Sequence, residues 1–334
     1  QYSEDTAMGE AITIAARMET SAEPGTVLVS ENTYRLVPTQ FDWEPLGQVK
    51  VKGISEPIVV YRPLSPRADA EQLQTYGLSS PLIGRDKEFN ALKIAVEYLY
   101  DGRGGIATVM GERGMGKSFL VAEVRHHFAR QGALLAQAQD EEGASRAPLT
   151  WLRGRARSYD QSRPYSMWLD LLNNWLGGQP DQPAEETRAH LRYQTEQLWG
   201  DRMGQYYPYL ATLLSLPLEP QFAQRLERLD AESLRRRFFD AVCDWVEALA
   251  QLGPLVIYFA DMHWADATSL ELLKHCLPVA DSESLLWLLV FRPDRKLPVW
   301  GFRYHIETEY PHRLTGISLS PLSNAESSEV VDHL

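Results

Sequence analysis

The sequence predicts an α/β protein: a mostly parallel sheet with helices on both faces and a helical insertion, preceded by a smaller α+β unit. Three observations predict it. Apolar runs at 106–110, 148–153, 254–260 and 285–291 alternate with segments of helical period, an alternation that implies a parallel sheet. Residues 111–118 read Gly-Glu-Arg-Gly-Met-Gly-Lys-Ser, directly after the first run and before the helix-like Phe119–Val124. Residues 1–64 instead mix one helical pattern with short strands.

In order, Gly9 to Ala22 places Ile12, Ala15, Ala16 and Met18 at helical spacing. Pro24-Gly25 makes a turn, and Thr26–Val29 reads as a buried strand. A helix is predicted at Glu31–Leu36 with Ser30 as its cap. Two strands flank Lys52-Gly53, the second ending in Pro57–Tyr61. Residues 65–80 show no firm period and read as a linker. The second domain, 81–334, opens at Pro81-Leu82-Ile83-Gly84-Arg85 with a helix over Glu88–Tyr98. Its long helical insertion holds Ser166–Leu176, Glu185–Trp199, Tyr209–Leu216 and Ala231–Leu252. The last has Leu234, Phe238, Val242, Trp245, Val246 and Leu249 on one side.

With 334 residues, 44% hydrophobic and 23% charged, the chain can bury two cores. A net charge of −12 excludes a general nucleic-acid binder, which needs a basic stripe, though not a small basic patch. The longest apolar runs, Leu255–Ala260 and Leu285–Phe291, are buried-strand length, too short to span a membrane. No signal peptide is read. Cys243 and Cys276 lack metal-ligand spacing and are expected to be free thiols in a reducing cytosol. Gln1 is not a start methionine and Leu334 falls in a helical pattern, so both ends are expected to continue in a longer chain.

The 111–118 segment matches Gly-x-x-x-x-Gly-Lys-[Ser/Thr] without a mismatch. Gly111, Gly114 and Gly116 let backbone N–H groups close around phosphate oxygens. Lys117 reaches the β- and γ-phosphates of a nucleoside triphosphate, and the Ser118 hydroxyl holds Mg²⁺. The following helix adds its positive end to the same anion site. Such a loop needs a carboxylate on a neighbouring strand, and Asp261, ending Leu255–Ala260, is the candidate for Mg²⁺ or water positioning. Asp266 is expected to cap the helix Ala267–Lys274. Arg292 follows Leu285–Phe291 at the carboxyl edge, either as a γ-phosphate sensor or as a surface arginine. His263 either orients water or packs beside Trp264.

Together, Pro81–Arg85, the phosphate loop and Ala260-Asp261-Met262-His263-Trp264-Ala265-Asp266 resemble the signal-transduction ATPases of the AAA/STAND group. Trp151–Arg155, Ser158-Tyr159, Pro164-Tyr165 and Leu319–Ser323 are similar to the same ATPases. Ser323 and Glu326 form a capping box for a lid helix. The resemblance implies a P-loop ATPase domain that uses ATP and Mg²⁺, its lid truncated. Relatives usually carry Asp or Glu where Ala260 stands, so slow hydrolysis is expected.

Residues 1–64 resemble the C-terminal part of a class III nucleotide cyclase domain, through Gly9–Arg17, Pro24-Gly25, Val27–Ser30, Lys52-Gly53 and Glu56-Pro57. The resemblance implies a transition-state role for Arg17, with Thr13 where the family has a nucleotide-positioning Asn. It places Thr6 at the purine-selecting position and Lys52 at the substrate phosphates. The two metal-binding aspartates of that family lie upstream of Gln1, so no cyclase activity is expected from this fragment. A second cyclase domain, as homodimer or tandem, is the implied partner, beside protein partners of the ATPase module. The reading is a cytoplasmic signalling protein whose ATP-driven switch regulates cyclic-nucleotide synthesis. A non-catalytic scaffold is the alternative. A STAND transcription regulator would need a DNA-binding domain, which nothing in the sequence supplies.

Overall fold

The computed structural model describes residues 15, 18–19, 22–23, 25–36, 38, 41–49, 58–66, 82–142, 147–160, 162–178 and 182–332. The chain divides into two compact units, 1–80 with 333–334, and 81–332.

In the first unit, β1 (Val29–Ser30), β3 (Ile58–Pro66) and β2 (Phe41–Val49) form an antiparallel sheet in that order, with α1 (Glu31–Leu36) between β1 and β2 in sequence. Ser30 Oγ accepts the Thr33 N–H at 3.4 Å, the predicted cap. Tyr34 of α1 stacks on Tyr61 of β3 at 4.0 Å and meets Trp43 edge-on. The predicted strand Thr26–Val29 is corrected to Val29–Ser30. Thr26 is held back by a turn onto the Glu23 carbonyl, and Val27 is 58% exposed. Strand β3 runs to Pro66, two residues into the predicted linker. Of the predicted helix Gly9–Ala22, the described residues Ala15, Met18 and Glu19 are helical, while Ala22 lies in a bend.

The second unit is built on five parallel strands in the order β5-β6-β7-β4-β8: β4 (Gly105–Met110), β5 (Thr150–Arg155), β6 (Leu255–Ala260), β7 (Leu285–Phe291) and β8 (Leu314–Ser318). Side chains alternate across the sheet. Leu285, Trp287, Leu289 and Phe291 of β7 join one core, while Leu286, Leu288 and Val290 join the other. The second core lies under α2 (Asp86–Glu97) and α3 (Lys117–Glu142).

The first core is covered by the helical insertion and by three later helices. In the insertion lie α4 (Ser166–Leu176), α5 (Ala184–Trp199), α6 (Tyr207–Leu213), α7 (Pro220–Glu227) and α8 (Ala231–Gln251). The later helices are α9 (Ala267–Cys276), which precedes the short α10 (Val279–Ser282), and α11 (Pro298–Glu309). Gly154 lets α4 sit directly on β5: a Cβ there would lie 2.5 Å from the Met167 carbonyl and 2.7 Å from the Phe259 ring.

Three features depart from the sequence expectations. Strand β8 and helix α7 carry too few apolar residues to be predicted: only Ile317 of β8 is buried, and no residue of α7 is. The two cysteines are not free. Cys243 of α8 is bonded to Cys276 of α9. The helices pack side by side with these Cα atoms 5.1 Å apart, within disulfide reach. A separation of 33 residues conveys none of this. The lid start is as expected: Ser323 N–H donates to Glu326 Oε2 at 2.7 Å and Glu326 N–H to Ser323 Oγ at 3.3 Å, opening α12 (Asn324–Asp332).

Candidate functional site

Every parallel strand of the sheet ends at one edge, and the candidate residues sit there. The loop after β4 turns through Gly114 (φ 83°) and Gly116 (φ 81°), left-handed conformations that favour glycine. Gly111 is closely packed instead: a Cβ would sit 3.1 Å from Leu319 Cβ, where the chain leaving β8 donates the Leu319 N–H to the Met110 carbonyl.

Lys117 opens α3 and folds back over the loop. Its Nζ donates to the Gly111 and Glu112 carbonyls, each at 2.8 Å, and the residue is 9% exposed. Burial, and then the charge of Arg292, lower its pKa against the opposing pull of Asp261 and Glu112. Ser118, next along the first turn, is exposed.

Asp261 leaves β6 in a left-handed conformation (φ 54°) that a non-glycine residue adopts at a cost of roughly 1–3 kcal/mol. Its Oδ2 accepts the Arg155 Nε–H at 3.1 Å, across from the end of β5. Ala260 before it is buried, and its carbonyl accepts the Ala156 N–H at 3.1 Å. The Arg292 charge acts on both Lys117 and His263, and its Nε is buried without a hydrogen-bond partner.

His263 is 3% exposed and neither ring nitrogen has a partner. Burial, with Arg292 next, pushes its pKa down to about 4, so the imidazole is neutral at pH 7. It packs against Trp264 at 4.9 Å. Asp266 is the N-cap of α9: it accepts the Ser269 N–H at 2.8 Å and the Tyr165 N–H at 3.2 Å. Burial acts to raise its carboxyl, but hydrogen bonds from Ser269, Thr268 and Tyr165 outweigh this and hold it below the usual range. Asp266 therefore holds α4 and α9 together rather than facing a ligand.

Two arginines carry roles that no motif assigned to them. Arg155 neutralises Asp261. Arg85, 7% exposed, donates to the Ser320 carbonyl at 2.6 Å and the Met115 carbonyl at 3.4 Å, tying the phosphate loop to the segment before α12. Beside it, Gly84, Glu88, Ser320, Pro321 and Leu322 line a cavity of about 320 Å³. Their signal was present, because both arginines lie in quoted motif stretches. Thr6, Thr13, Arg17 and Lys52 lie outside the described residues.

For a divalent cation, the donor chemistry is hard oxygen: the Ser118 hydroxyl and the Asp261 carboxylate. That suits Mg²⁺, which takes one or two protein ligands and completes its shell with phosphates and water. Among the described residues no three His, Cys, Asp or Glu side chains converge as a metal site.

A P-loop at the carboxyl edge of a parallel sheet defines a nucleotide-binding α/β protein. The family profile described as "AAA ATPase domain" matches residues 81–288, more than half of the chain, and the protein belongs to that family. The profile described as "Adenylate and Guanylate cyclase catalytic domain" matches residues 6–78. The pairing makes the chain a nucleotide-binding signalling module with a cyclase domain ahead of an ATPase domain. An uncharacterised protein of Rhizobium meliloti (strain 1021), R02095, is 26% identical over 287 residues, which is 86% of this chain. This chain spans 26% of that relative's length. Among solved structures, the Walker-type ATPase PABY2304 of Pyrococcus abyssi aligns with TM-score 0.37 and 14% identity, over 75% of this chain and 57% of that one. Among the described residues no helix is long and apolar enough to cross a membrane.

Proposed function

We propose that residues 81–334 are an ATP-binding switch with slow hydrolysis, set in a cytoplasmic parent protein that makes a cyclic nucleotide. The observation that carries this is Lys117, folded onto the Gly111 and Glu112 carbonyls of the loop and acted on by the charges of Arg292 and Asp261. The loop and the start of α3 cradle the phosphates, Lys117 exchanges its two carbonyl partners for phosphate oxygens, and Arg292 meets the γ-phosphate. Ser118 and Asp261 would hold or orient Mg²⁺, which would supply positive charge to the triphosphate there. Arg85 links the loop to the segment before α12, so a nucleotide-induced movement of either reaches the other. Thr13, Arg17, Thr6 and Lys52 keep the cyclase roles that the resemblance implies, in a site completed by a second cyclase domain.

The reading is tested by ATP binding to the wild-type chain and to Lys117→Ala. Loss of affinity by roughly tenfold or more in the variant is expected. Equal affinity would refute the site. The non-catalytic scaffold reading is favoured by Ala260 and by the Arg155–Asp261 pair, which leave few groups for hydrolysis. ATP turnover above that of Lys117→Ala excludes it for the ATPase unit.

A further inference from the structure

The Cys243–Cys276 bond joins the two helices that flank β6 and Asp261 in sequence. Cys243 is half-buried on α8, and Cys276 is fully buried on α9. Between them the chain runs through β6, Asp261, His263 and the Asp266 cap of α9. Asp261 stands there in a left-handed conformation (φ 54°), which persists only where the surroundings hold it. The cross-link closes this stretch into a ring and fixes the spacing of its ends covalently. The helices do not depend on the bond to meet. Asp240 and His275 approach to 3.1 Å, and Arg235 pairs with Glu271. Val242 and Val246 of α8 and Leu272 and Leu273 of α9 are fully buried in the first core. Opening the bond therefore loosens the helix pair without exposing that core.

In the cytoplasmic setting proposed above, cellular thiols keep cysteines reduced, and a bond that does form there is transient and redox-sensing rather than a permanent staple. We propose that Cys243–Cys276 is a thiol–disulfide exchange site, reduced by a dithiol reductant, and that its state sets the order of the Asp261 turn. One thiolate of the reductant attacks Cys243 Sγ, the more accessible sulfur, forming a mixed disulfide as the Cys243–Cys276 bond breaks. Cys276 leaves as a thiolate and takes up a proton. The second thiolate of the reductant then attacks the mixed disulfide, frees Cys243 to be protonated in turn, and closes the reductant's own disulfide. The protein gains two electrons and two protons, and the dithiol loses them. The bonded form holds the turn at Asp261, and the dithiol form lets it relax. The effect on ATP turnover rests on the reading of 111–118 and Asp261 as a nucleotide site, whereas the exchange and the ordering of the turn do not.

The test equilibrates the folded full chain with dithiothreitol or with its oxidised form. Rapid alkylation in denaturant, counted by mass spectrometry, then reads the free thiols, and hydrogen exchange reads the peptide 255–266. Two free thiols after dithiothreitol and none after reoxidation are expected, with circular dichroism unchanged throughout. On reduction, amide exchange over 261–266 is expected to rise about tenfold. ATP turnover is expected to fall about threefold or more. Cys243→Ala cannot form the bond and should give the reduced-form values under both conditions. A bond that resists dithiothreitol until the chain unfolds overturns the inference, as do thiols that stay free in both conditions. Unchanged exchange over 261–266, with ATP binding that Lys117→Ala abolishes, overturns it and leaves the ATP site standing. Redox-dependent exchange over 261–266, with ATP binding indifferent to Lys117→Ala, leaves the exchange site standing and overturns the ATP reading.

Discussion

Arg155 and Asp261 face each other from the ends of the neighbouring strands β5 and β6, guanidinium Nε to carboxylate Oδ2 at 3.1 Å. Both are about one-third exposed, so the pair contributes about 1 kcal/mol or less to folding. On the proposed role of Asp261, a carboxylate held by a guanidinium is less free to orient water or metal. Arg155→Gln is therefore expected to raise ATP turnover a few-fold, and Asp261→Asn to lower it about tenfold or more with ATP affinity retained. A double-mutant cycle on turnover should show strong non-additivity, and additive effects would separate the two residues.

Gly154 is where β5 and α4 touch. With the Met167 carbonyl 2.5 Å and the Phe259 ring 2.7 Å from any added Cβ, Gly154→Ala forces the helix away from the sheet. Overpacking of this kind costs about 1–3 kcal/mol. The denaturant midpoint should fall accordingly, whereas Gly132→Ala, on an open helical surface, should not lower it.

His263 makes stability depend on pH in a definite direction. Its folded pKa of about 4 lies below the ordinary 6.5 because burial disfavours the cation. The unfolded chain therefore takes up a proton between these values and the folded chain does not. Stability from this group is complete well above pH 6.5 and is lost as pH falls toward 4, on the order of 3 kcal/mol in all. Chemical denaturation at pH 7 and pH 5 should show part of this loss in the wild type. A matching drop in His263→Gln would assign the effect to other groups.

The Cys243–Cys276 bond closes a loop that contains β6, Asp261 and His263. For a separation of 33 residues, chain entropy places its contribution at about 3–4 kcal/mol. A reducing agent, or Cys243→Ser, should lower the thermal midpoint by comparable amounts. An unchanged midpoint in both would mean that the bond is not formed in the folded protein in solution.

Much of the second unit was legible before any coordinates. Strands β4, β6 and β7 are nearly continuous apolar runs because both faces of a parallel sheet are buried, and their ends fell within a residue of prediction. The Ser323–Glu326 box and the Asp266 cap were legible for another reason: a cap is a contact between residues three apart in sequence. Strand β8 was not. Leu314-Thr315-Gly316-Ile317-Ser318 lies at the sheet edge, so burial demands little of its composition, and its place is set by pairing with β4.

What the sequence by itself determined, then, is local chemistry and period: the Gly-Lys-Ser loop, the apolar strand runs and the caps, each written within a few neighbouring residues. Only the tertiary structure decided who meets whom across the fold. Arg155 and Asp261 are 106 residues apart, Arg85 and Ser320 are 235 apart, and Cys243 finds Cys276 across two helices. Such meetings follow from strand order and helix packing, which a linear pattern of residue types does not encode. That is why the Gly-Lys-Ser loop could be read from eight residues, while the Arg155–Asp261 pair could not.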